Sequence, residues 1–218
     1  MTPLTIALDA STYTGSVALL RGGVVLASRD AAMRGEREER LLPAVADAMK
    51  EAGARPEDIQ AVVCGAGPGS FTSLRIAASI AKGVAMASGA SFSCVSSLAL
   101  MVAAAIPVPG RYLAALDAMR EELYVSLVEV AAGGIVVAAT RPEVITAALL
   151  EPRATRDDAT PLGPGLRIDS RPQAAALARI APALVTPVSL ASWEPQYGRL
   201  AEAQVKWEAT HGRPLLAR

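Results

Sequence analysis

Hydrophobic positions along the chain change period several times, and each change marks an element. Leu4-Thr-Ile-Ala-Leu8, Ser16-Val-Ala-Leu-Leu20 and Val24-Val-Leu-Ala-Ser28 are short apolar runs parted by turn residues, which predicts three strands of an antiparallel meander. Residues 29–40 carry eight charges and read as a solvated loop running into a helix start. From Arg40 the period lengthens: Leu41, Leu42, Val45, Met49 and Ala52 share one helical face, and Gly53 ends it. Ile59–Cys64 is apolar without alternation, as in a strand covered on both faces. A helix follows over 72–88. It is apolar nearly all round except for Arg75 and Lys82, so its own fold or a partner buries it. Another helix is expected over 97–105.

Pro107-Val-Pro109-Gly110 is the natural lobe boundary, giving an N-terminal lobe of 1–106 and a smaller C-terminal lobe of 107–218. Beyond it the pattern predicts strands over 112–116, 122–130 and 134–139. Helices are expected near 142–150 and 171–181, with an exposed helical tail over 200–210. Ile6-Ala-Leu-Asp-Ala10 and Ala114-Ala-Leu-Asp-Ala118 each place an aspartate just past a strand that leads into a hairpin. That faint repeat suggests a duplicated α/β architecture.

Composition narrows the function classes. Hydrophobic residues are 52% of the chain and charged residues 19%, a balance that builds a core rather than a disordered segment. Twenty-one basic and 21 acidic residues give a net charge of zero, which argues against a broad electrostatic nucleic-acid or membrane binder and favours association. The uncharged stretch 83–110 has a purely apolar centre, Leu98–Ile106, of nine residues, against the ~20 a spanning helix needs. With no basic leader at Met1-Thr-Pro-Leu4, the expected location is cytoplasmic. Cys64 and Cys94 sit in apolar runs and read as free buried thiols. His211 is the only histidine, so neither a His-assisted Ser or Cys nucleophile nor a His/Cys metal cluster can be assembled.

Candidate chemistry lies in Gly65-Ala-Gly-Pro-Gly-Ser-Phe-Thr72, between a strand and a helix. Amides at a helix start attract anions, and glycines admit a phosphate closely. The loop lacks a P-loop lysine, and Pro68 removes one donor, so phosphate binding and a plain capped turn both stay open. Asp9 and Asp117, if they face one another across a cleft, suit a hydrated Mg²⁺; equally, each could cap its own turn. The candidate nucleotide or anion ligands are Asp9, Ser11, Thr12, Gly67, Gly69, Ser70, Thr72 and Asp117. No catalytic residue and no resident metal is assigned.

The ordered motifs Leu8-Asp-Ala-Ser-Thr12, Arg40-Leu-Leu-Pro43, Gly67-Pro-Gly-Ser-Phe-Thr-Ser-Leu-Arg-Ile76, Ala81-Lys-Gly83 and Val95-Ser-Ser-Leu98 run from the N-terminus to mid-chain. Leu116-Asp-Ala118 with Glu122-Leu-Tyr124, and Pro195-Gln-Tyr197 with Ala201-Glu-Ala203, continue the series. Together they resemble the TsaB (YeaZ) family, the Gly-Pro-Gly-Ser-Phe-Thr stretch most specifically. Arg37 replaces a common family histidine, and Ser73 a common glycine.

The resemblance implies the actin-like ATPase fold, ribonuclease H-like, in two lobes with mixed sheets flanked by helices. It implies a noncatalytic scaffold and activator of a TsaD-like threonylcarbamoyltransferase, which modifies the N6 of the tRNA adenosine next to the anticodon. A TsaE-like ATPase joins the assembly, the chain forms a homodimer when alone, and tRNA is met mainly through the partner. ATP or ADP with Mg²⁺ is then expected at the level of the complex, not as a requirement of this chain. The partner face is expected on Leu41, Leu42 and Val45 of the first helix and on Leu74, Arg75, Ala77, Ala78, Ala81, Lys82 and Ala85 of the second. On that reading Ala77→Arg or Ala81→Arg breaks the complex without unfolding the chain. The alternative is an independent actin-like ATPase or phosphotransferase.

Overall fold

The computed structural model describes residues 2–35, 38–105, 108–198 and 210–212. Three strands, β1 (Leu4–Asp9), β2 (Thr14–Arg21) and β3 (Val24–Ala32), form the expected meander. Gly22 and Gly23 turn the chain between β2 and β3 with φ of +58° and +80°, a backbone that side chains resist. Helix α1 (Leu41–Glu51) starts early enough for Pro43 to lie in its first turn, where no intrahelical amide bond is lost. The Glu39 carboxylate accepts the amides of Leu41 and Leu42, which have no intrahelical acceptor at the helix start.

Strand β4 (Ala61–Gly65), helix α2 (Phe71–Ser88), strand β5 (Ser91–Val95) and helix α3 (Ser97–Ala104) complete the first half. β4 pairs with β1, and β5 with β4, both in parallel. The second half runs β6 (Gly110–Asp117), β7 (Glu122–Ala131), β8 (Ile135–Ala139), β9 (Glu143–Thr146), α4 (Leu150–Arg156), β10 (Thr160–Leu162) and β11 (Thr186–Pro187).

Six strands form one sheet in the order β11-β5-β4-β1-β2-β3. The other sheet runs β10-β6-β7-β8, with β9 also paired to β7. In each sheet the first three strands form an antiparallel meander and a later strand, β4 or β10, lies parallel to the first. The faint repeat therefore has a topological basis: Asp9 ends β1 and Asp117 ends β6. These are the two mixed sheets with flanking helices expected from the sequence.

The core forms layers. α1 and α2 cover one face of the first sheet through Leu41, Val45, Ala77, Ala81 and Ala85. α3 lies between the two sheets, and all of Ser97–Ala103 is buried there. α4 closes the outer face of the second sheet with Leu150 and Ala154. The helix apolar on every side is thus α3. α2 keeps an exposed side.

Several expectations change. The segment 142–150 is not one helix: β9 is drawn into pairing with Glu122–Val125 of β7, and α4 starts only at Leu150. The segment 171–181 holds a 3₁₀ helix, Ala174–Arg179, between Pro172 and Pro182. β5, β10 and β11 were not expected at all. The tail helix lies, over 200–209, outside the described residues, as does Arg37.

Candidate functional site

The two matched turns, after β1 and after β6, face the same space. A cleft of about 1420 Å³ opens between them, lined by Ser11, Thr12, Gly69, Ser70, Thr72 and Asp117 of the candidate ligands. Tyr13, Phe71, Tyr124 and Tyr197 also line it, half of the chain's eight aromatic residues (four Tyr, two Phe, two Trp). Arg120 and Arg171 contribute positive charge at the walls.

Asp9 and Gly67 do not reach the cleft. The Asp9 side chain is fully buried, and its Oδ1 accepts the Ser11 amide at 2.9 Å and the Ser11 hydroxyl at 2.7 Å. Its Oδ2 accepts the Ser97 hydroxyl at 2.5 Å. Ser97 in turn accepts the Gly67 amide at 2.9 Å, while the Gly67 carbonyl accepts the Ser97 amide at 3.1 Å. Burial raises the Asp9 carboxyl above the ordinary value of 3.8, and the Ser11 amide and the two hydroxyls pull against it. A β-carbon at Gly65 would collide with this carboxylate, so glycine is what lets β4 pass beside it.

The glycine loop is likewise engaged. The Ser70 amide donates to the Ser11 carbonyl at 2.8 Å, and a β-carbon at Gly69 would strike that same oxygen. Two loop amides, of Gly67 and Ser70, thus serve the fold, and Pro68 has none. A Mg²⁺ nucleotide bridged between Asp9 and this loop does not fit: the carboxylate is enclosed and the loop lies flat on the hairpin. Asp117 is exposed, and its Oδ1 accepts the Met119 amide at 2.8 Å. The paired-acid reading therefore gives way to two turn-binding acids, one deep and one at the wall.

The expected partner face also needs correction. Leu41, Leu74, Ala77 and Ala81 are 0% exposed, and Val45, Ala78 and Ala85 are buried too. These side chains pack into the chain's own core because α1 lies on β2 and β3 and the alanine side of α2 lies on β4, not outward. Ala77→Arg and Ala81→Arg would therefore disrupt the monomer. Of the expected set, only Leu42 and Arg75 are exposed, and Lys82 is half-buried with its ammonium 6.0 Å from the Trp193 ring.

The outward side of α2 carries Arg75, Ser79, Gly83 and Met86, with Ile76 and Ile80 half-buried along it. A groove of about 430 Å³ runs there between Glu39, Phe71, Arg75, Ile76 and Ile80. Its signal in the sequence was the spacing Arg75-x₃-Ser79-x₃-Gly83, the side opposite the alanines.

Comparison with known proteins fits this arrangement. Residues 30–159 match the family described as TsaD: tRNA N6-adenosine threonylcarbamoyltransferase. The chain is 40% identical over 121 residues to the tRNA threonylcarbamoyladenosine biosynthesis protein TsaB of Escherichia coli, covering 55% of this chain and 52% of that protein. The matched stretch spans about half the length of the curated relatives. The structure of YeaZ from Pseudomonas aeruginosa superposes with a TM-score of 0.64 at 30% identity, over 80% of this chain and 88% of that one. A second Pseudomonas aeruginosa structure, described as similar to peptidase YeaZ, gives 0.72 at 29% identity over 90% and 100%.

Proposed function

Because the chain belongs to the TsaB (YeaZ) family, we propose that it is a noncatalytic scaffold and activator of a TsaD-like threonylcarbamoyltransferase acting on tRNA. The observation that carries this reading is the outward face of α2. Leu42 is 53% exposed and Met86 73%, and with Ile76 and Ile80 they leave apolar surface on the α1–α2 side. Ser79 and Gly83 are small, and nothing lies within 4 Å of where a β-carbon on Gly83 would sit. A glycine inside a helix costs about 1 kcal/mol relative to alanine. Close approach of a partner's helix to this backbone gives that cost a purpose.

On this reading the lobe 1–106 does the docking, and it frames the cleft together with the lobe 107–218. The same face serves a homodimer when the transferase is absent, and a TsaE-like ATPase joins the assembled pair. tRNA is met mainly through the partner, in keeping with a net charge of zero. Any ATP or ADP with Mg²⁺ belongs to the complex, which would operate in the cytoplasm. The alternative, an independent ATPase, is disfavoured by the enclosure of Asp9 among three donors.

Gel filtration with a TsaD-like partner tests the reading. Ser79→Arg should abolish co-elution while leaving the melting temperature within a few degrees of the parent, since an exposed substitution shifts stability by about 0.5 kcal/mol or less. Continued co-elution would misplace the interface. Modification of tRNA by the isolated chain would end the noncatalytic reading.

A further inference from the structure

The Pro195-Gln-Tyr197 motif plays no part in that function, yet it touches both halves of the molecule. The Gln196 amide donates to the Ala66 carbonyl at 2.7 Å, fastening the segment to the loop that leads into α2. The Tyr197 ring lies 4.5 Å from the Phe71 ring, centroid to centroid, inclined by 47°. The Tyr197 carbonyl accepts the Tyr124 hydroxyl at 3.3 Å, and Tyr124 belongs to β7 of the second sheet. The Tyr197 hydroxyl donates to Glu194 at 2.8 Å, which holds the segment in its own curve. Gly198 has φ of +73°, and a β-carbon there would drive into the Tyr124 ring. Glycine at this point is what lets the segment meet β7.

Phe71 is the first residue of α2 and lines both the inter-sheet cleft and the groove on the outward face. The Arg75 guanidinium stands 5.3 Å over the same ring. An unbroken line of contacts, from the Tyr124 hydroxyl to the Tyr197 carbonyl and from the Tyr197 ring through Phe71 to Arg75, thus leads from the second sheet to the exposed side of α2. Aromatic pairs and cation–ring contacts are directional, so each member restricts the next.

We propose that Tyr197 is a positioning residue that clamps Phe71 between the cleft and the outward face of α2, so that both keep one shared arrangement. This holds whether or not a partner docks on that face. Removing the ring should free the start of α2 and the β6–β7 turn together, although the two lie in different halves of the chain. A side chain that merely fills space at 197 would loosen only its own neighbours.

Amide hydrogen exchange on the intact chain, read by mass spectrometry, separates the two. Tyr197→Ala should speed exchange about tenfold at residues 74–77 and also at Ala118 and Glu122. The latter two amides donate to the Glu122 and Met119 carbonyls. Tyr197→Phe keeps the ring, loses only the Glu194 bond, and should restore parental protection at both places. Faster exchange confined to 194–198, or no recovery in Tyr197→Phe, would overturn the proposal. If Tyr197→Ala does not fold, Tyr124→Phe removes only the hydroxyl that ties the segment to β7. It should speed exchange at 74–77 about threefold, and unchanged exchange there would overturn the proposal equally.

Discussion

Asp9 and Asp117 end the first strands of two sheets built on one plan, yet they live in different media. Asp9 is sealed under the start of α3, where Ser97 reaches its carboxylate. Asp117 looks into the cleft and binds the amide two residues on. The strand parallel to the first explains part of the likeness. β4 ends at Gly65, and β10 is followed by Gly163, and in both a β-carbon would strike the first strand or its terminal acid. The contrast arises downstream of that parallel strand. After β4 the chain supplies α2, β5 and α3, and Ser97 at the start of α3 roofs the turn; after β10 the elements up to residue 198 are 3₁₀ segments and β11. An equivalent backbone position thus makes an internal strut in one sheet and a wall residue in the other.

The largest test of that contrast is truncation. Asp9→Ala should cost about 2–4 kcal/mol, because it orphans three buried donors, whereas Asp117→Ala should cost about 1 kcal/mol or less. Urea unfolding measures both, and equal losses would mean the two acids do the same job. A smaller effect separates the turns themselves. Met119, Arg120 and Glu121 have φ of +65°, +58° and +61°, while Ala10–Tyr13 in the other turn has no positive φ. Arg120→Gly should therefore stabilise the chain by about 0.5–1 kcal/mol, and a loss of stability would contradict the strain assigned to this turn.

The subtlest test is pH. Burial raises the Asp9 carboxyl above 3.8 in the folded chain, so the fold binds this proton more tightly than the unfolded chain does. Its protonation therefore favours folding, and that contribution fades as pH rises from 3.8 through the raised value. The stability difference between the parent and Asp9→Asn should accordingly move in favour of the parent as pH falls through that window. Movement the other way would place the ionised form as the favoured one.

Much of this was legible in the sequence. The opening meander, α1, α2 and α3 follow from apolar period and from glycine stops, and the Leu-Asp-Ala pair marked the two halves before any topology was known. β5 escaped notice because Ser91-Phe-Ser-Cys-Val95 has no charged flank and sits inside the uncharged stretch. β9 escaped because its pairing with β7 is a long-range choice that local propensity does not encode. In the candidate site, composition located the glycine loop and both aspartates, but not where they point. Ser97 lies 88 positions from Asp9 and stood in the sequence only as part of a family motif, with no link to the acid. The same limit misassigned α2. An alanine stripe marks a face that something approaches closely, and the chain's own β4 proved to be that something.

β11 has a consequence for synthesis on the ribosome. It pairs with β5 by Thr186↔Cys94 and Pro187↔Ser93, and Trp193 then covers Phe92 edge-on at 5.3 Å. The sheet begun by Leu4 is finished only when residues beyond 185 have emerged, after every strand of the other sheet has already been made. A nascent chain halted at residue 106 would carry β5 as a bare hydrogen-bonding edge with Phe92 uncovered, a natural client for a holding chaperone.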